Sequence, residues 1–183
     1  AIILGKANLS ELGGMVHQGN RMGGTSAVGG RAINPYGDDF ATSGSSSGSA
    51  VATAALLAVA SVGTETSGSL LSPAAKNGVV AIKPTQGLVS SQGILPVVTN
   101  NDGPGPVARS VRDAARLLAA IDTVDVDYSG GLAISGLSGK TVGVLTADIL
   151  DDRNRQPLLQ KAVSALTVAG AQLRPARIVK TPA

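Results

Sequence analysis

The sequence predicts a layered α/β fold in which helices pack on a sheet. Short β-branched runs alternate with Ala- and Leu-rich segments of helical periodicity along the 183 residues, and this alternation is typical of α/β folds. Hydrophobic residues make up 43% of the chain and charged residues 15%, so we expect a buried core rather than disorder. Aromatic residues make up only 2%. The core must therefore consist mainly of Ala, Val, Leu and Ile, which allow helices to pack closely on a sheet.

The N-terminal quarter of the chain contains two short predicted elements and a long irregular segment. Residues 2–4 are an apolar run that predicts a short buried strand. Residues 8–11, followed by two glycines, predict a capped helical turn. Residues 18–48 are rich in Gly, Asn and Ser with little periodicity. Inside a compact domain, such a long irregular segment is usually functional.

An Ala-rich apolar segment follows this irregular stretch. It predicts a helix from Ser49 to about Ala60, capped by Ser47 or Ser49, because Ala favours helices and Ser favours their N-termini. We expect its apolar side chains to be buried. Residues 59–63 predict the beginning of a strand, and the β-branched residues 78–82 predict another.

The second half of the chain alternates between helix and strand. A helix is predicted to begin at Ser110, because apolar residues from 111 to 121 follow helical spacing. Residues 141–145, 157–169 and 171–179 predict a strand, a helix and a strand in that order. Residues 122–140 contain several Asp and Gly residues and are expected to be a surface excursion rather than a domain boundary.

The composition argues against several classes of function. The excess of 15 Lys and Arg over 12 Asp and Glu is small and spread along the chain, so nucleic-acid binding is not predicted. No apolar run approaches the roughly 20 residues of a membrane span. The chain has no Cys and a single His, which excludes disulfides, thiolate catalysis and zinc sites built from several Cys or His ligands. We expect no metal and no cofactor.

Three local patterns have simple structural interpretations. The GKT sequence at 139–141 lacks the upstream Gly of a phosphate-binding loop and has Ile134 there, so it predicts a turn before a strand. Residues 8–10 fit a glycosylation triplet, but nothing in the sequence indicates secretion. His17 is the only imidazole that could activate a serine. A Ser-His-Asp triad is physically allowed, although a lone His in a loop is more often an ordinary polar residue.

Two polar segments flank the predicted Ala-rich helix. They are SGSSSGS at 43–49 and GTETSGS at 63–69. Small residues let a substrate approach the backbone, and consecutive N–H groups in such a turn can converge on an anion. Ser69 is therefore a candidate nucleophile beside an oxyanion-binding turn. On its own, the second segment is more simply interpreted as a polar turn.

Taken together, these segments resemble the amidase signature family. That family has a GGSSGGS block followed by GTDxGGSIRxP, where this chain has SGSSSGS at 43–49 and GTETSGSLLSP at 63–73. Further similar segments are GKANLSE at 5–11, GVVAIKPT at 78–85 and DGPGPVARSV at 102–111. The resemblance is strong over residues 5–122 and weak over the remainder. The motifs are most similar to those of the peptide amidase branch.

The resemblance implies both a fold and a set of site residues. The implied fold is an incomplete α/β/α sandwich, with a mixed β-sheet covered by helices on both faces, in a single partial domain over residues 1–183. Ser69 aligns with the nucleophile, and Ser45 aligns with a bridging serine whose preceding peptide bond is cis in the family. Oxyanion and substrate binding is implied for Thr66, Ser67 and Gly68, with Ser46 and Thr64 as supporting residues.

The implied reaction is amide hydrolysis through a serine acyl-enzyme. A neutral lysine takes the proton of Ser45 while Ser45 takes the proton of Ser69, which attacks the amide carbonyl. Such a base requires a pKa lowered from about 10.4 to roughly 7–8. In the family this lysine precedes the GKTNLSE segment by several tens of residues, and only four residues precede Gly5 here. We therefore expect an internal fragment of a longer amidase, with its base outside the chain.

Departures from the family pattern bear on the substrate. Leu71 replaces a common Arg, which favours an apolar pocket over acidic substrates. Ser47 and Ser67 replace glycines, and Glu65 replaces Asp. The expected partner is a small-molecule or peptide amide, with no nucleic acid and no membrane.

Two other functions stay open at this point. The chain could belong to the glutaminase subunit of a tRNA amidotransferase, which shares the motif set, or it could be catalytically silent in isolation. The oligomeric state and the compartment are not determined by the sequence, with the cytoplasm as the preferred expectation.

Overall fold

A computed structural model of the chain describes residues 2–15, 23–132, 134–145 and 156–176. The chain forms two compact units, residues 1–129 and residues 130–183. Both contain helices and strands, so the predicted mixed α/β fold class is confirmed. Within the described ranges, no helix combines the length and the apolar character that crossing a bilayer requires.

The first unit is built around a three-stranded antiparallel sheet. In chain order its elements are a 3-10 turn at Glu11–Gly14, β1 (Thr25–Ser26), β2 (Gly30–Arg31), α1 (Ser47–Ala54), β3 (Ala60–Glu65), α2 (Leu71–Lys76), β4 (Val80–Ala81), β5 (Gly103–Ala108) and α3 (Val111–Ile121). The strand order is β3-β5-β4, and β1 and β2 form a separate antiparallel pair. Every residue of the central strand β5 is buried.

Helix α3 has the position and the buried face that its sequence predicts. The Ser110 hydroxyl accepts the N–H of Asp113 at 3.1 Å and donates to the Asp113 carboxylate at 2.7 Å, which is the geometry of an N-cap. Ala114, Ala115 and Leu118 are buried, and α3 contacts β5. Because two of these three side chains are Ala, the helix lies close to the sheet.

Helix α1 differs from its prediction at both ends. It begins at Ser47 and ends at Ala54, with Ser46 at the N-cap position. Neither Ser47 nor Ser49 caps it, because both lie inside the helix. Leu56 has a φ of +62°, a conformation that a continuing right-handed helix does not allow. The chain therefore turns at this residue and enters β3.

Two apolar runs that were expected to be buried are exposed among the described residues. Leu56 and Leu57 are each 71% exposed and Val59 is 75% exposed. Residues 2–4 form no strand, and the exposed fractions of their side chains are 74% or more. Both predictions were wrong because an apolar run indicates that a segment favours burial and does not identify a neighbour that would cover it.

The remaining short elements of the first unit agree partly with the sequence. The strand predicted at 78–82 forms only at Val80–Ala81, which pairs with the end of β5. The predicted helical turn near residue 11 is the 3-10 turn at Glu11–Gly14, and the Ser10 side chain does not cap it. Residues 16–22, which include His17, lie outside the described residues.

The second unit has a strand-helix-strand arrangement that the sequence predicts well. It contains β6 (Thr141–Leu145), α4 (Gln156–Val168) and β7 (Gln172–Ala176), with a 3-10 turn at Ile134–Leu137; another 3-10 turn, Tyr128–Leu132, spans the junction of the two units. Strands β6 and β7 are parallel, which requires a crossover connection of this kind.

The N–H of Lys140 donates to the Leu137 carbonyl at 3.0 Å, so the GKT sequence is a turn, as predicted. The prediction of a single domain over residues 1–183 stays a prediction.

Candidate active site

Serine hydroxyls of α1 and its N-cap attach the helix to one edge of β3. Ser46 Oγ donates to the carbonyl of Thr64 at 2.8 Å and accepts the N–H of Thr64 at 2.9 Å. Ser49 Oγ donates to the carbonyl of Val62 at 2.9 Å. The hydroxyls thus satisfy backbone groups that a neighbouring strand would otherwise satisfy.

Strand β3 lies at an edge of the sheet, with β5 on its other side. The backbone groups of Val62 and Thr64 that face away from β5 therefore have no strand to pair with among the described residues. The serine side chains bond to these groups and occupy an edge of the sheet that could otherwise pair with another chain. This packing explains why a segment rich in Gly and Ser leads into a helix whose first residues are buried here.

Replacing Ser46 by Ala is expected to lower the free energy of unfolding by about 2–3 kcal/mol, because the N–H and the carbonyl of Thr64 would both lose a partner. Ser46 is only 4% exposed, so water would not readily replace the hydroxyl. Urea unfolding measures the change. Ser91→Ala, at an exposed side chain, is the control and should stay within about 0.5 kcal/mol of the unchanged protein. Equal midpoints for the two variants would contradict the prediction.

The backbone brings the segments that carry the predicted site residues Ser45 and Ser69 into contact. The N–H of Ser46 donates to the carbonyl of Ser69 at 3.0 Å, so the segment before α1 touches the turn after β3. The peptide bond between Gly44 and Ser45 is cis. Ser45 is buried and Ser69 is half-buried. Neither hydroxyl hydrogen-bonds to another residue in the described ranges, so both oxygens are available for chemistry.

The turn between β3 and α2 presents backbone N–H groups beside Ser69. In the part of the chain that the structure describes, the N–H groups of Thr66, Ser67 and Ser69 have no acceptor. Gly68 has a φ of +94°, and its N–H is directed to the carboxylate of Glu65. Unpaired N–H groups in one turn form a concavity that can hold an anion.

Glu65, at the end of β3, is the acceptor that organises this turn. Its Oε2 accepts the N–H of Leu70 at 2.8 Å and the N–H of Leu71 at 3.0 Å. Burial raises the pKa of Glu65, but the N–H groups of Leu71, Leu70 and Gly68, together with the charge of Lys83, hold the pKa below its usual value. The carboxylate therefore stays ionised and stabilises the start of α2.

The ionised Glu65 predicts a specific acid sensitivity. Its pKa is lower in the folded than in the unfolded chain, so its contribution to stability is complete above the ordinary value of 4.5 and is lost as the pH falls through the folded pKa. We expect the free energy of unfolding of Glu65→Gln to fall less steeply than that of the unchanged protein below that pH. Urea titrations at a series of pH values measure this. Asp39→Asn, at an exposed residue, is the matched control; parallel slopes for all three proteins would contradict the prediction.

Thr66 is attached to the segment that precedes β5. Its hydroxyl donates to Asp102 Oδ1 at 2.5 Å, and the side-chain amide of Asn101 donates to its carbonyl at 2.5 Å. The other oxygen of Asp102 accepts the N–H groups of Val97 and Val98 at 2.7 and 2.9 Å. The Thr66 hydroxyl and these N–H groups outweigh the effect of burial and lower the pKa of Asp102. Sequence reasoning did not assign this role to Asp102, although it lies in a segment that resembles the family.

No base for Ser45 is found in the described ranges. Lys83 Nζ donates to the carbonyl of Asn101 at 2.8 Å, and no described lysine hydrogen-bonds to Ser45. The expectation that the base lies outside this chain stays a prediction.

Asn8, in the glycosylation triplet, uses its side-chain amide to donate to the carbonyls of Gly24 and Gly30.

Comparisons with known proteins give a consistent result. The sequence model of the Amidase family matches residues 1–183. A probable amidase of Arabidopsis thaliana is 43% identical over 160 residues, which cover 79% of this chain and 31% of the relative. A glutamyl-tRNA(Gln) amidotransferase subunit of Trichlorobacter lovleyi is 36% identical over 186 residues, which cover 94% of this chain and 37% of the relative.

A solved structure also shows the similarity. The native peptide amidase from Stenotrophomonas maltophilia superposes with a TM-score of 0.88 at 43% sequence identity, over 96% of this chain and 39% of that protein. This chain thus spans less than two-fifths of the length of each of these three relatives. The match to the family covers every residue of the chain, and the chain therefore belongs to the Amidase family.

Proposed function

We propose that the full-length polypeptide containing these residues hydrolyses amides through a serine acyl-enzyme. One observation carries the proposal: Ser45 and Ser69 lie on adjoining backbone segments, joined by the hydrogen bond from Ser46 N–H to the Ser69 carbonyl, next to a turn with unpaired N–H groups. A nucleophile, a second hydroxyl and oxyanion donors are the groups that acyl transfer requires. Membership of the Amidase family supports the same reaction.

The proposed reaction proceeds in two stages. Ser69 Oγ attacks the amide carbonyl carbon, its proton passes to Ser45 Oγ, and the proton of Ser45 passes to the base. The N–H groups of Thr66, Ser67 and Ser69 stabilise the oxyanion, where the loss of one donor typically costs about 3–4 kcal/mol. The C–N bond then breaks as the leaving nitrogen takes the relayed proton. Water hydrolyses the ester on Ser69 and regenerates the hydroxyl.

The base in this proposal is the lysine that the family resemblance implies and that we expect to lie outside these 183 residues. A lysine accepts a proton near neutral pH only when burial and neighbouring charges lower its pKa to roughly 7–8. We accordingly expect the 183 residues in isolation to show no amide hydrolysis, and ready turnover by them alone would refute this part of the proposal.

The substrate class that we propose is an amide with an apolar acyl side, including C-terminal peptide amides. The side chain of Leu71, two residues after the nucleophile, is 48% exposed and offers an apolar surface where the family commonly has a cation. The similarity to the Stenotrophomonas maltophilia peptide amidase favours peptide amides.

The proposal is tested by acyl-enzyme trapping on the full-length polypeptide. The protein is mixed with C-terminal peptide amides, aryl amides and aliphatic amides, quenched with acid and digested. We expect release of ammonia or amine and an acyl adduct on the peptide that contains Ser69. Turnover with the adduct on another residue would overturn the mechanism, and the absence of turnover across the panel would overturn the function.

A second candidate is the glutamine-hydrolysing component of a tRNA amidotransferase. The 36% identity to an amidotransferase subunit over 94% of this chain favours it. Release of glutamate from glutamine, together with co-purification of partner subunits, would select this function. Hydrolysis of peptide amides by the polypeptide alone would select the first.

A further inference from the structure

Ser10 makes three hydrogen-bond contacts, two of them with the segment that carries Ser45. The N–H of Ser10 donates to the carbonyl of Ser45 at 2.9 Å. Ser10 Oγ accepts the N–H of Gly24 at 2.8 Å and lies 3.3 Å from Ser47 Oγ. Ser10 is only 7% exposed, so these contacts are shielded from water and costly to lose.

The direction of the hydrogen bonds in this cluster can be assigned. Ser47 Oγ donates to the carbonyl of Ser43 at 2.5 Å, which uses the single proton of that hydroxyl. In the pair formed by Ser10 and Ser47, Ser10 must therefore be the donor. The resulting series of hydrogen bonds runs from the N–H of Gly24 through the hydroxyls of Ser10 and Ser47 to the carbonyl of Ser43. Each hydroxyl in the series both accepts and donates a hydrogen bond.

The hydroxyls of Ser10 and Ser47, together with the backbone N–H of Ser10, hold the Ser45 segment on both sides of the reactive residue. The Ser47 hydroxyl donates to the carbonyl of Ser43, and the N–H of Ser10 donates to the carbonyl of Ser45. Gly44, between them, lies directly against Ser10, because a Cβ at position 44 would overlap Ser10 Oγ. Ser10 thus contacts the backbone from which the Ser45 side chain projects.

We infer that Ser10 is a positioning residue that sets the orientation of the Ser45 hydroxyl toward Ser69. The Ser10 hydroxyl acts through Ser47, which holds the Ser43 carbonyl, and through its packing against Gly44, and it has no place in the proton path. This inference rests on the amide hydrolysis proposed above, since the Ser45 hydroxyl has a reaction to perform only in that mechanism. An orientation error at a relay group slows acylation and leaves substrate binding unchanged.

Ser26 provides a matched control for a merely structural role. Its hydroxyl also makes two hydrogen bonds, donating to Asn8 Oδ1 at 2.6 Å and accepting the N–H of Gly29 at 2.9 Å. Ser26 lies in the same unit and makes no hydrogen bond to residues 43–47 in the described ranges. Replacing either serine by Ala therefore removes two side-chain hydrogen bonds, but only the replacement of Ser10 removes a contact with the Ser45 segment.

The experiment compares Ser10→Ala and Ser26→Ala in the full-length polypeptide, with kcat, KM, the single-turnover acylation rate and urea unfolding measured for each. We expect Ser10→Ala to lower kcat and the acylation rate at least tenfold while KM changes less than twofold. Ser26→Ala should keep both rates within twofold of the unchanged protein. Both variants should lower the unfolding midpoint.

Each outcome has a defined consequence for the inference. Equal rates in the two variants, or a Ser10→Ala change confined to KM, would overturn it. If Ser10→Ala does not fold, Ser47→Ala removes the acceptor of the Ser10 proton and should show the same selective loss of kcat; unchanged kcat in that variant would also overturn the inference. Full activity in Ser69→Ala would instead refute the proposed serine mechanism, and absence of turnover in the unchanged protein would refute the proposed function, so these failures are distinguishable from a failure of the inference.

Discussion

Ser69→Ala in the full-length polypeptide is expected to reduce kcat for amide hydrolysis by about 10³-fold or more, and up to about 10⁶-fold. The variant retains the backbone N–H of residue 69 and the carbonyl that accepts from Ser46, so the turn should keep its conformation. It lacks only the oxygen that attacks the substrate. Substrate should therefore bind with little change in affinity while no acyl-enzyme forms.

The measurement for Ser69 is steady-state turnover together with mass spectrometry of quenched reactions. Ser72→Ala is a suitable control, because its hydroxyl lies three residues further on and contacts the Ser43 hydroxyl at 2.7 Å. We expect the control to stay within about threefold of the unchanged protein. Turnover of Ser69→Ala at the control's rate would remove Ser69 from the mechanism.

Ser45→Ala is expected to reduce kcat by about 10²–10⁴-fold, the range typical of the loss of general acid–base assistance. The nucleophile stays in place, so the reaction slows without being abolished. The N–H of Ser10 can still donate to the carbonyl of residue 45, and the local backbone should be retained. In contrast to Ser69→Ala, this variant should still give a small amount of acyl adduct after long incubation.

The pH dependence of kcat in Ser45→Ala distinguishes two roles for the Ser45 hydroxyl, namely proton transfer to the base and packing alone. If Ser45 passes the proton to a base, its loss should flatten the rise of kcat with pH that the base produces in the unchanged protein. A packing role would lower kcat by the same factor at every pH. A loss of kcat by the same factor at every pH, or a kcat within about threefold of the unchanged protein, would contradict the proposed proton transfer through Ser45.

Local patterns predicted part of the fold correctly. Helix α3 was predictable because Ser110 caps it and its apolar residues share one face, and β6 and α4 were predictable for similar local reasons. The end of α1 was not predictable, because Ala-rich sequence continues past Ala54 and nothing local indicates the positive φ of Leu56.

The candidate site was predictable in a different way. Similarity to a family identified Ser45 and Ser69, and the structure brings their backbone segments into contact. Ser10 and Asp102 were not singled out, because Ser10 is 37 residues from its hydroxyl partner Ser47 and Asp102 is 36 residues from its partner Thr66. Such contacts leave no periodic pattern in the sequence.

The sequence by itself determined which segments form helices and strands in the second half of the chain, and which small polar residues are available for chemistry. Only the tertiary structure decided which partner each polar group has: Ser46 with Thr64, Glu65 with Leu70 and Leu71, and Ser10 with the Ser45 segment. The physical reason is that helical and strand preferences arise between residues a few positions apart. A buried hydroxyl, in contrast, takes the nearest unpaired donor or acceptor in space, whatever its distance along the chain.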